Sequence, residues 1–593
     1  MSLTGYNIWI LSFKDFLEKV DINDTITCTG TDIEWTLKDK DRVVKIWNNH
    51  DTFLININIS IFEICSSIFH PDDVHYACEE IYYYLHFAFY SFKKRLQSVN
   101  YYGFGGPFIP LFTQWNALKN ILEDIKTPEY YIGPNDILPW DNVVINTDPY
   151  DVTYWQIEGT DKSIGTNQYV FAYKRPLGIP IFVYVTPFDS HIINADTNSP
   201  LQNSISSRLK EKSLEIAKYL GISFGELLFF IEEKEITFGA ATPRIINASS
   251  LPNFKQITID AFIKSFDELN IEKYDLAYFN LEATEESCEP NDSNKIVAIG
   301  DTKDHTMMTV VNSQAFTKSG LFLHIKDITK TWNFTYENGT FCIIYNNEKL
   351  DLSSKIYYRG EFEVFSDSQT DCLIETKNLL AICLDSLNCT VYGSSKTQYL
   401  NASKPLQIVK VMKFITENSF SSITIPSTKI IKGKDQYNNL MNTSIGDESE
   451  NFIVKSISGI RSIVASEKEF KNWDIESINN LPCMFQNHIN GMDLRVHVCN
   501  KKVFCVQITG KAMVDYRYSD GCTYEVVTIP PELEAFARTL SNYERNPLIG
   551  IDIIETKGKY FVLESNQMPG WDHFYNIEDH NEVIENFSRQ IVS

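Results

Sequence analysis

Alternating apolar and polar positions outline hairpins at two widely separated places. IEWTLKDKDRVVKIW, around Trp35, and KTWNFTYENGTFCII, around Trp332, each read as two short strands joined by a polar turn. Later on each side the pattern is shared again, as a helix-period run, a strand, a polar turn and a second strand. On the first side this is SLEIAKYLGISFGELLFFIEEKEITFGAATP; on the second it is ELEAFARTLSNYERNPLIGIDIIETKGKYFVLESNQMP. In the same scheme IPIFVYV (179–185) corresponds to KKVFCVQI (501–508). The run FHPDDVHYACEEIYYYLHFAFYSFKKRL (69–96) has helical character with apolar residues on most faces. It predicts a buried helix with His70 and His75 as ordinary helix-start residues.

One segment breaks this texture. ATEESCEPNDSN (283–294) is acidic, polar and poor in large apolar residues, and it reads as a linker. It splits the chain into nearly equal parts, 1–282 and 295–593. Their shared element order predicts an internal duplication of α/β (or α+β) units, with chance similarity between two α/β domains as the alternative. Aligned by sequence, Glu226 stands at the place of Asp552, Phe238 at Glu564 and Ala240 at Asn566, while Phe171 and Tyr173 stand at Asp493 and Arg495. The first part thus loses the polar residues described below. Its apolar replacements predict a cleft for a peptide or a partner domain, or else a packing and dimerisation surface.

Length and composition narrow the class. At 593 residues the chain exceeds one core of ~100–200 residues. With 43% hydrophobic and 22% charged residues it reads as an ordinary globular protein. A net charge of -24 argues against nucleic acid held through its phosphates, though not against one nucleotide gripped by local cations. No signal peptide or membrane-spanning run is read. The 12 cysteines include no CxxC pair, and reduced structural thiols in a cytoplasmic protein are expected.

The strongest chemical signal is GIDIIETKGKYFVLESNQMPGW. Two strands joined at Thr556-Lys557-Gly558-Lys559 bring Asp552 beside Glu564 and Asn566, which share a face by the period of two. Three oxygen donors at one point suit Mg²⁺. The competing reading, a water-facing polar hairpin, fits poorly with carboxylates set in IGI-D-II and FVL-E-S. Upstream, FIVKSISGIRSIVAS predicts strand, small-residue loop and strand. Lys455 ends the first strand, and the amides of Ser456, Ser458 and Gly459 are free to approach a phosphate, although such loops are more often plain turns. Next, LPCMFQNHINGMDLRVHV predicts a strand ending at Gln486 and Asn487, a short loop, then Asp493 and Arg495 on a new strand. Such a hinge suits adenine, with Asp493 near the ribose and Arg495 on phosphate.

The order IVK, FQNHI, MDLRVHV, GIDII, LESNQMPGW resembles the ATP-grasp superfamily. The likeness is nearest to ligases that glutamylate a ribosomal protein and to those that install ester or amide crosslinks in graspetide (microviridin-type) peptides. It implies an ATP-grasp fold in tandem with a degenerate first module (1–282), a linker (283–294), a pre-ATP-grasp domain (295–400) and a catalytic domain (401–593). It implies ATP and Mg²⁺ as cofactors, with Lys455 and an earlier lysine on phosphates. That lysine is Lys404 in NASKPLQIVKVM, with Lys410 as its rival. It further implies Ser458 in the phosphate loop, Gln486, Asn487 and Ile489 around adenine, Asp493 at the ribose, Arg495 on phosphate, and Asp552, Glu564 and Asn566 on the metal. Arg517 in VDYRY is similar to part of an Asp-Trp-Arg element of the graspetide branch and would neutralise an acyl phosphate. The loop 456–462 would be a lid. The implied activity is carboxylate activation and capture by an amine or hydroxyl, on a peptide or protein. No nucleic acid or membrane partner is implied, and a homodimer stays open. Two alternatives remain: a small-molecule amino-acid or dipeptide ligase, and a nonenzymatic ATP-binding scaffold.

Overall fold

The structure is a computed structural model and describes residues 2–3, 6–39, 42–47, 51–56, 61–91, 109–119, 122, 124–140, 143–146, 169–193, 201–243, 247–268, 296–328, 330–350, 355–360, 372–385, 387, 391–393, 402–444, 452–459, 464–466, 480–500, 502–510, 521–544, 546–575 and 581–592. The segment 283–294 and Arg517 lie outside these residues.

The hairpins form where alternation places them. Glu34–Asp39 pairs with Arg42–Trp47, and Trp332–Glu337 pairs with Thr340–Tyr345. What they join is less expected. The first hairpin enters an eight-stranded sheet through Val20–Thr27, which pairs antiparallel with Thr428–Lys432 from the far side of the chain. That sheet continues through Cys483–Asn487, Phe452–Lys455 and Val464–Ser466. In return, Trp332–Glu337 pairs with Tyr130–Pro134, in a six-stranded sheet that continues through Tyr169–Tyr173 and Val144–Asn146. Each side lends its hairpin to the other side's sheet.

The helices follow the same exchange. Val74–Ser91 buries Ile81, Tyr84, Leu85 and Phe87 in a core shared with Leu406, Phe414, Leu494 and Ile551. Cys372–Asp385 packs Leu380 and Cys383 against Phe171, Ile181 and Phe229. Apolar burial is the main force here, so neither core closes without residues from both sides of 283–294. A buried chain of hydrogen bonds locks the first exchange. Trp35 Nε1 donates to Tyr84 Oη at 2.7 Å, Tyr84 Oη donates to Asp24 Oδ2 at 2.6 Å, and the Glu34 amide donates to Asp24 Oδ1 at 3.0 Å.

Two further sheets complete the architecture. Ile296–Gly300 lies between Gly320–His324 and Ile356–Arg359 with all neighbours parallel, and Val391–Tyr392 extends the edge. A six-stranded sheet of Ile423–Thr424, Lys559–Asn566, Leu548–Thr556, Met492–Cys499, Lys502–Thr509 and Thr523–Val526 carries the predicted metal hairpin. On the first side a sheet of four strands comprises Ser190–Ile193, Ile179–Val185, Gly225–Glu232 and Glu235–Thr242. Among the described residues no helix is long and apolar enough to cross a membrane. Cys28, Cys65, Cys78, Cys342, Cys383, Cys483, Cys499, Cys505 and Cys522 are free thiols. His70 caps the short turn Pro71–Asp73, and the His75 ring packs on Phe62, as helix-start residues do.

The sheets correct three sequence registers. Ile179–Val185 pairs with the first strand of its hairpin, as Met492–Cys499 does, so it does not correspond to 501–508. Tyr169–Tyr173 lies beside Tyr130–Pro134, as Cys483–Asn487 lies beside Thr428–Lys432. Phe171 and Tyr173 therefore do not stand at Asp493 and Arg495. Finally, each hairpin carries one bulged residue, Gly239 on the first side and Leu563 on the second. Matched at the bulge, Leu228, Ala240 and Thr242 take the places of Asp552, Glu564 and Asn566, and Glu226 that of Gly550. The sequence alignment is therefore two residues out along both strands, and a slip of two keeps every side chain on its own face and leaves no trace in the periodicity. Nor is there an apolar cleft lined by Phe171, Tyr173 and Phe238. All three are fully buried in one packed core, with Trp115 ring contacts to Phe171 at 5.7 Å and Tyr173 at 5.3 Å.

Candidate functional site

The hairpin expected to hold the metal turns at Lys557 and Gly558, both with positive φ, the two-residue turn whose twist suits antiparallel strands. Five residues before the turn, Asp552 stands across from Glu564, and Asn566 follows on the same face. On the other neighbour Arg495 stands across from Asp552. Arg495 Nη1 donates to Asp552 Oδ1 at 2.5 Å, and Asn566 Nδ2 lies 3.4 Å from Asp552 Oδ2 and 3.2 Å from Glu564 Oε1. Burial pushes the Asp552 carboxyl up to about 7, with Arg495 pulling it down and Glu564 pushing it up. Two opposed carboxylates thus face one guanidinium, that of Arg495, with the Asn566 amide beside both. The donor set of two carboxylates and an amide oxygen, reached by flipping the Asn566 amide, fits Mg²⁺. The expected trio is brought together.

Arg495 is itself held. Its Nε donates to His497 Nε2 at 3.2 Å, and its guanidinium sits 5.5 Å from the centre of the Phe574 ring. Arginine can only donate, so His497 Nε2 accepts and the proton sits on Nδ1, which faces Tyr575 Oη 2.8 Å away and the Gly570 backbone. Burial keeps His497 neutral, well below the usual imidazole range, and the positive Arg495 adds to the effect. Sequence reasoning passed over His497, although it continues the alternation Asp493, Arg495, His497 on one strand face. Asp493 sits half-exposed at the opening of that strand.

The back of the strand Lys559–Asn566 is fastened by residues the sequence reading missed. Ser565 and Gln567 alternate with Glu564 and Asn566, and both donate to Glu544, Ser565 at 2.9 Å. Asn546 donates to the side chain and backbone of Gln567, at 2.7 and 2.8 Å. Burial raises the Glu544 carboxyl, Ser565 and Gln567 lower it through hydrogen bonds, and Lys410 lowers it through charge. The loop after the strand is held from the parallel sheet. Arg359 bridges Asp304 at 2.7 Å and the Pro569 carbonyl at 2.9 Å, and Thr306 donates to Asp572.

The cationic side is built on the eight-stranded sheet and the helix Lys404–Asn418. Lys404 opens this helix and donates to Ser456 Oγ at 2.9 Å and to the Ser458 carbonyl. Lys410, two turns along, instead neighbours Glu544 and His86, and burial lowers it to about 8. Of the rivals, Lys404 is the one beside the loop at Ser456–Ser458. Lys455 Nζ donates to Gln486 Oε1 at 2.8 Å, and Gln486 Nε2 reaches Thr428 Oγ1 at 3.2 Å. Gln486 is fully buried and orients Lys455. The Asn487 amide donates to the Ser427 carbonyl at 2.9 Å, and Ile489 lies half-exposed in the bend that follows.

The loop differs from its sequence expectation. The amides of Ile457 and Ser458 donate to Glu80 of the helix Val74–Ser91, at 2.6 and 3.0 Å. The Gly459 amide donates to the Ala402 carbonyl at 2.5 Å, and the Lys404 amide donates to the Ile457 carbonyl at 3.0 Å. Residues 456–459 are therefore pinned on both sides, and the rest of the expected lid, 460–462, lies outside the described residues.

The two groups meet through the helix that Lys404 opens. The Ser565 amide lies 3.4 Å from Gln407 Oε1 on that helix. Glu226, by contrast, spends its carboxylate on the Asn247 side chain and the Asn247 and Ala248 amides, at 2.6 to 3.0 Å, and serves as an internal brace.

Against known families, residues 406–586 match the RimK-like ATP-grasp domain. No curated protein matches the chain. Among solved structures, the ATP-grasp ligase PsnB complexed with minimal precursor, Mg and ADP is 18% identical, with a TM-score of 0.39 over 51% of this chain and 98% of that one. The macrocyclase MdnC from Microcystis aeruginosa MRC, bound with precursor peptide MdnA, is 16% identical, with a TM-score of 0.40 over 50% and 99%. A Chryseobacterium gregarium RiPP-associated ATP-grasp ligase, in complex with ADP and a leader and core peptide, is 16% identical, with a TM-score of 0.39 over 50% and 95%.

Proposed function

We propose that this protein, an ATP-grasp ligase with a RimK-like ATP-grasp domain at residues 406–586, activates a carboxylate of a peptide or protein as an acyl phosphate and passes it to an amine or hydroxyl. The observation that carries the reading is the opposition of Asp552 and Glu564 beside Arg495, a charge pattern that calls for a divalent cation and its phosphate ligands. Asp552, Glu564 and Asn566 would hold Mg²⁺, which when bound supplies charge neutralisation on the phosphate oxygens. Lys404 and Lys455 would steady the phosphates as point charges, and Arg495 would offer its fork to the group being transferred. His497, neutral and bonded to Tyr575, holds that fork at the correct angle. A peptide substrate is favoured by the graspetide-like motifs of the sequence, among them VDYRY. We further propose that residues 1–282 are a catalytically silent counterpart of the second part. Leu228, Ala240 and Thr242 at the metal positions and the reciprocal hairpin exchange support this, and a single nucleotide per chain follows from it.

The test is ADP and phosphate release by the full chain with Mg-ATP, with and without candidate carboxylate-bearing peptides, followed by mass measurement of the peptide. Loss of one water per crosslink with stoichiometric ADP is expected. ATP turnover indifferent to every peptide but stimulated by a free amino acid would move the assignment to a small-molecule ligase. Two nucleotides bound per chain would overturn the silent counterpart.

A further inference from the structure

The loop that follows Lys455 is fastened by a residue from the opposite end of the chain. We propose that Glu80 is a positioning residue of the nucleotide site, its carboxylate fixing the Ser456–Ser458 loop so that Lys404 and Lys455 meet the phosphates. The inference rests on the ATP site described above and names a further part of it.

Glu80 is fully buried, and its two carboxylate oxygens each take one of two consecutive amides, those of Ile457 and Ser458. Consecutive amides directed at one anion form a concave nest of the kind that holds phosphate. Here a carboxylate fills it permanently. The same loop offers Lys404 its two acceptors, Ser456 Oγ and the Ser458 carbonyl, so the loop's shape decides where the Lys404 ammonium sits. One residue before Lys404, Ser403 donates to the Tyr83 carbonyl of the Glu80 helix at 2.8 Å. Helix, loop and lysine thus form one unit, two of its parts from the second half of the chain and one from the first. A carboxylate receiving two amides in a dry site is worth more than two neutral hydrogen bonds, and truncating it leaves two buried donors unpaired.

Titration provides a signature that simple packing lacks. Burial pushes the Glu80 carboxyl up to about 7, with the Ile457 and Ser458 amides and Lys404 pulling it down and Glu79 pushing it up. Cys483 of the neighbouring strand also faces this charge, its thiol pushed up by burial and by Glu80. Above about 7 the ionised carboxylate accepts both amides. Below it a proton occupies one oxygen, and the hydrogen bond from the amide facing that oxygen weakens.

The experiment measures the ATP dissociation constant of the full chain with Mg²⁺ by calorimetry from pH 6 to pH 8.5, for the wild type, Glu80→Gln, Glu80→Asp and Tyr84→Phe. Glu80→Gln is expected to weaken ATP about tenfold at pH 8 and to flatten the weakening that the wild type shows below pH 7. Glu80→Asp should keep the pH profile with a smaller loss. Tyr84→Phe, one turn along the same helix, should lower the unfolding temperature and leave ATP binding unchanged. Wild-type affinity in Glu80→Gln, or an equal loss in Tyr84→Phe, would overturn the proposal. If Glu80→Gln does not fold, protection of the Ile457 and Ser458 amides against hydrogen exchange in the wild type decides. Loss of that protection below pH 7 supports the inference, and unchanged protection overturns it. A wild type that binds no ATP would instead remove the nucleotide site itself.

Discussion

Asp552 and Glu564 face each other across neighbouring strands because Leu563, the residue between Val562 and Glu564, is bulged out of the ladder. An unbroken register from the Lys557-Gly558 turn would have set Leu563 against Asp552. The bulge re-aims one side chain, the recurrent use of such irregularities beside active sites.

Glu564→Gln should therefore abolish turnover while the fold survives. It removes one of the two carboxylates proposed to hold the metal and leaves an isosteric amide on a half-exposed face. A drop of at least ~10²-fold in ADP release is expected with an unfolding temperature near that of the wild type. Near-normal turnover with Mg²⁺ would show that the metal sits elsewhere.

Lys404→Ala and Lys455→Ala should weaken ATP by roughly one to two orders of magnitude each, the range expected for losing a cation against phosphate. Lys410→Ala should do little to affinity but lower stability, because Glu544 would lose its buried positive neighbour. Calorimetric titration with ATP separates the three. An equal loss in Lys410→Ala would make that residue the first phosphate lysine.

Lys432 gives a pH-dependent stability with a defined sign. Its ammonium, fully buried, donates to the Val20 carbonyl across the exchanged sheet, and burial lowers it to about 8, with Asp21 opposing. Between about 8 and the ordinary lysine value near 10.4 the unfolded chain binds the extra proton. Stability from this group therefore rises with pH across that window, by about 3 kcal/mol, and below about 8 its full cost is present. Lys432→Met should remove the rise, which chemical denaturation at pH 7.5, 9 and 10 would reveal. An identical slope in the variant would assign the effect to other groups.

A chain truncated to begin at Asn294 should not fold to a soluble ligase. Removing residues 1–293 strips Val20–Thr27 from the edge of Thr428–Lys432 and takes Trp35, Tyr84 and Phe87 out of the core beneath the Lys404 helix. Soluble yield and size-exclusion behaviour of the fragment test this. A monodisperse, ATP-binding fragment would mean that the second half closes its own core.

Much of this protein is local in origin and legible without coordinates. The alternation around Trp35 and Trp332, the Lys557-Gly558 turn, and the carboxylates set in apolar strands follow from residues within a few positions of one another. The periods of strand and helix fix which side chains share a face. The order of the Lys455, Arg495 and Asp552 motifs survives in the chain because it follows the order of the strands. Tertiary structure alone decided which sheet each hairpin enters, where Leu563 and Gly239 bulge, and that Glu80 closes on Ile457 and Ser458 hundreds of positions away. Strand pairing is satisfied by any edge of the right register, and a buried carboxylate by any convergent donors. Periodicity along one segment carries no address for its partner, and the choice falls to whichever arrangement buries both cores at once.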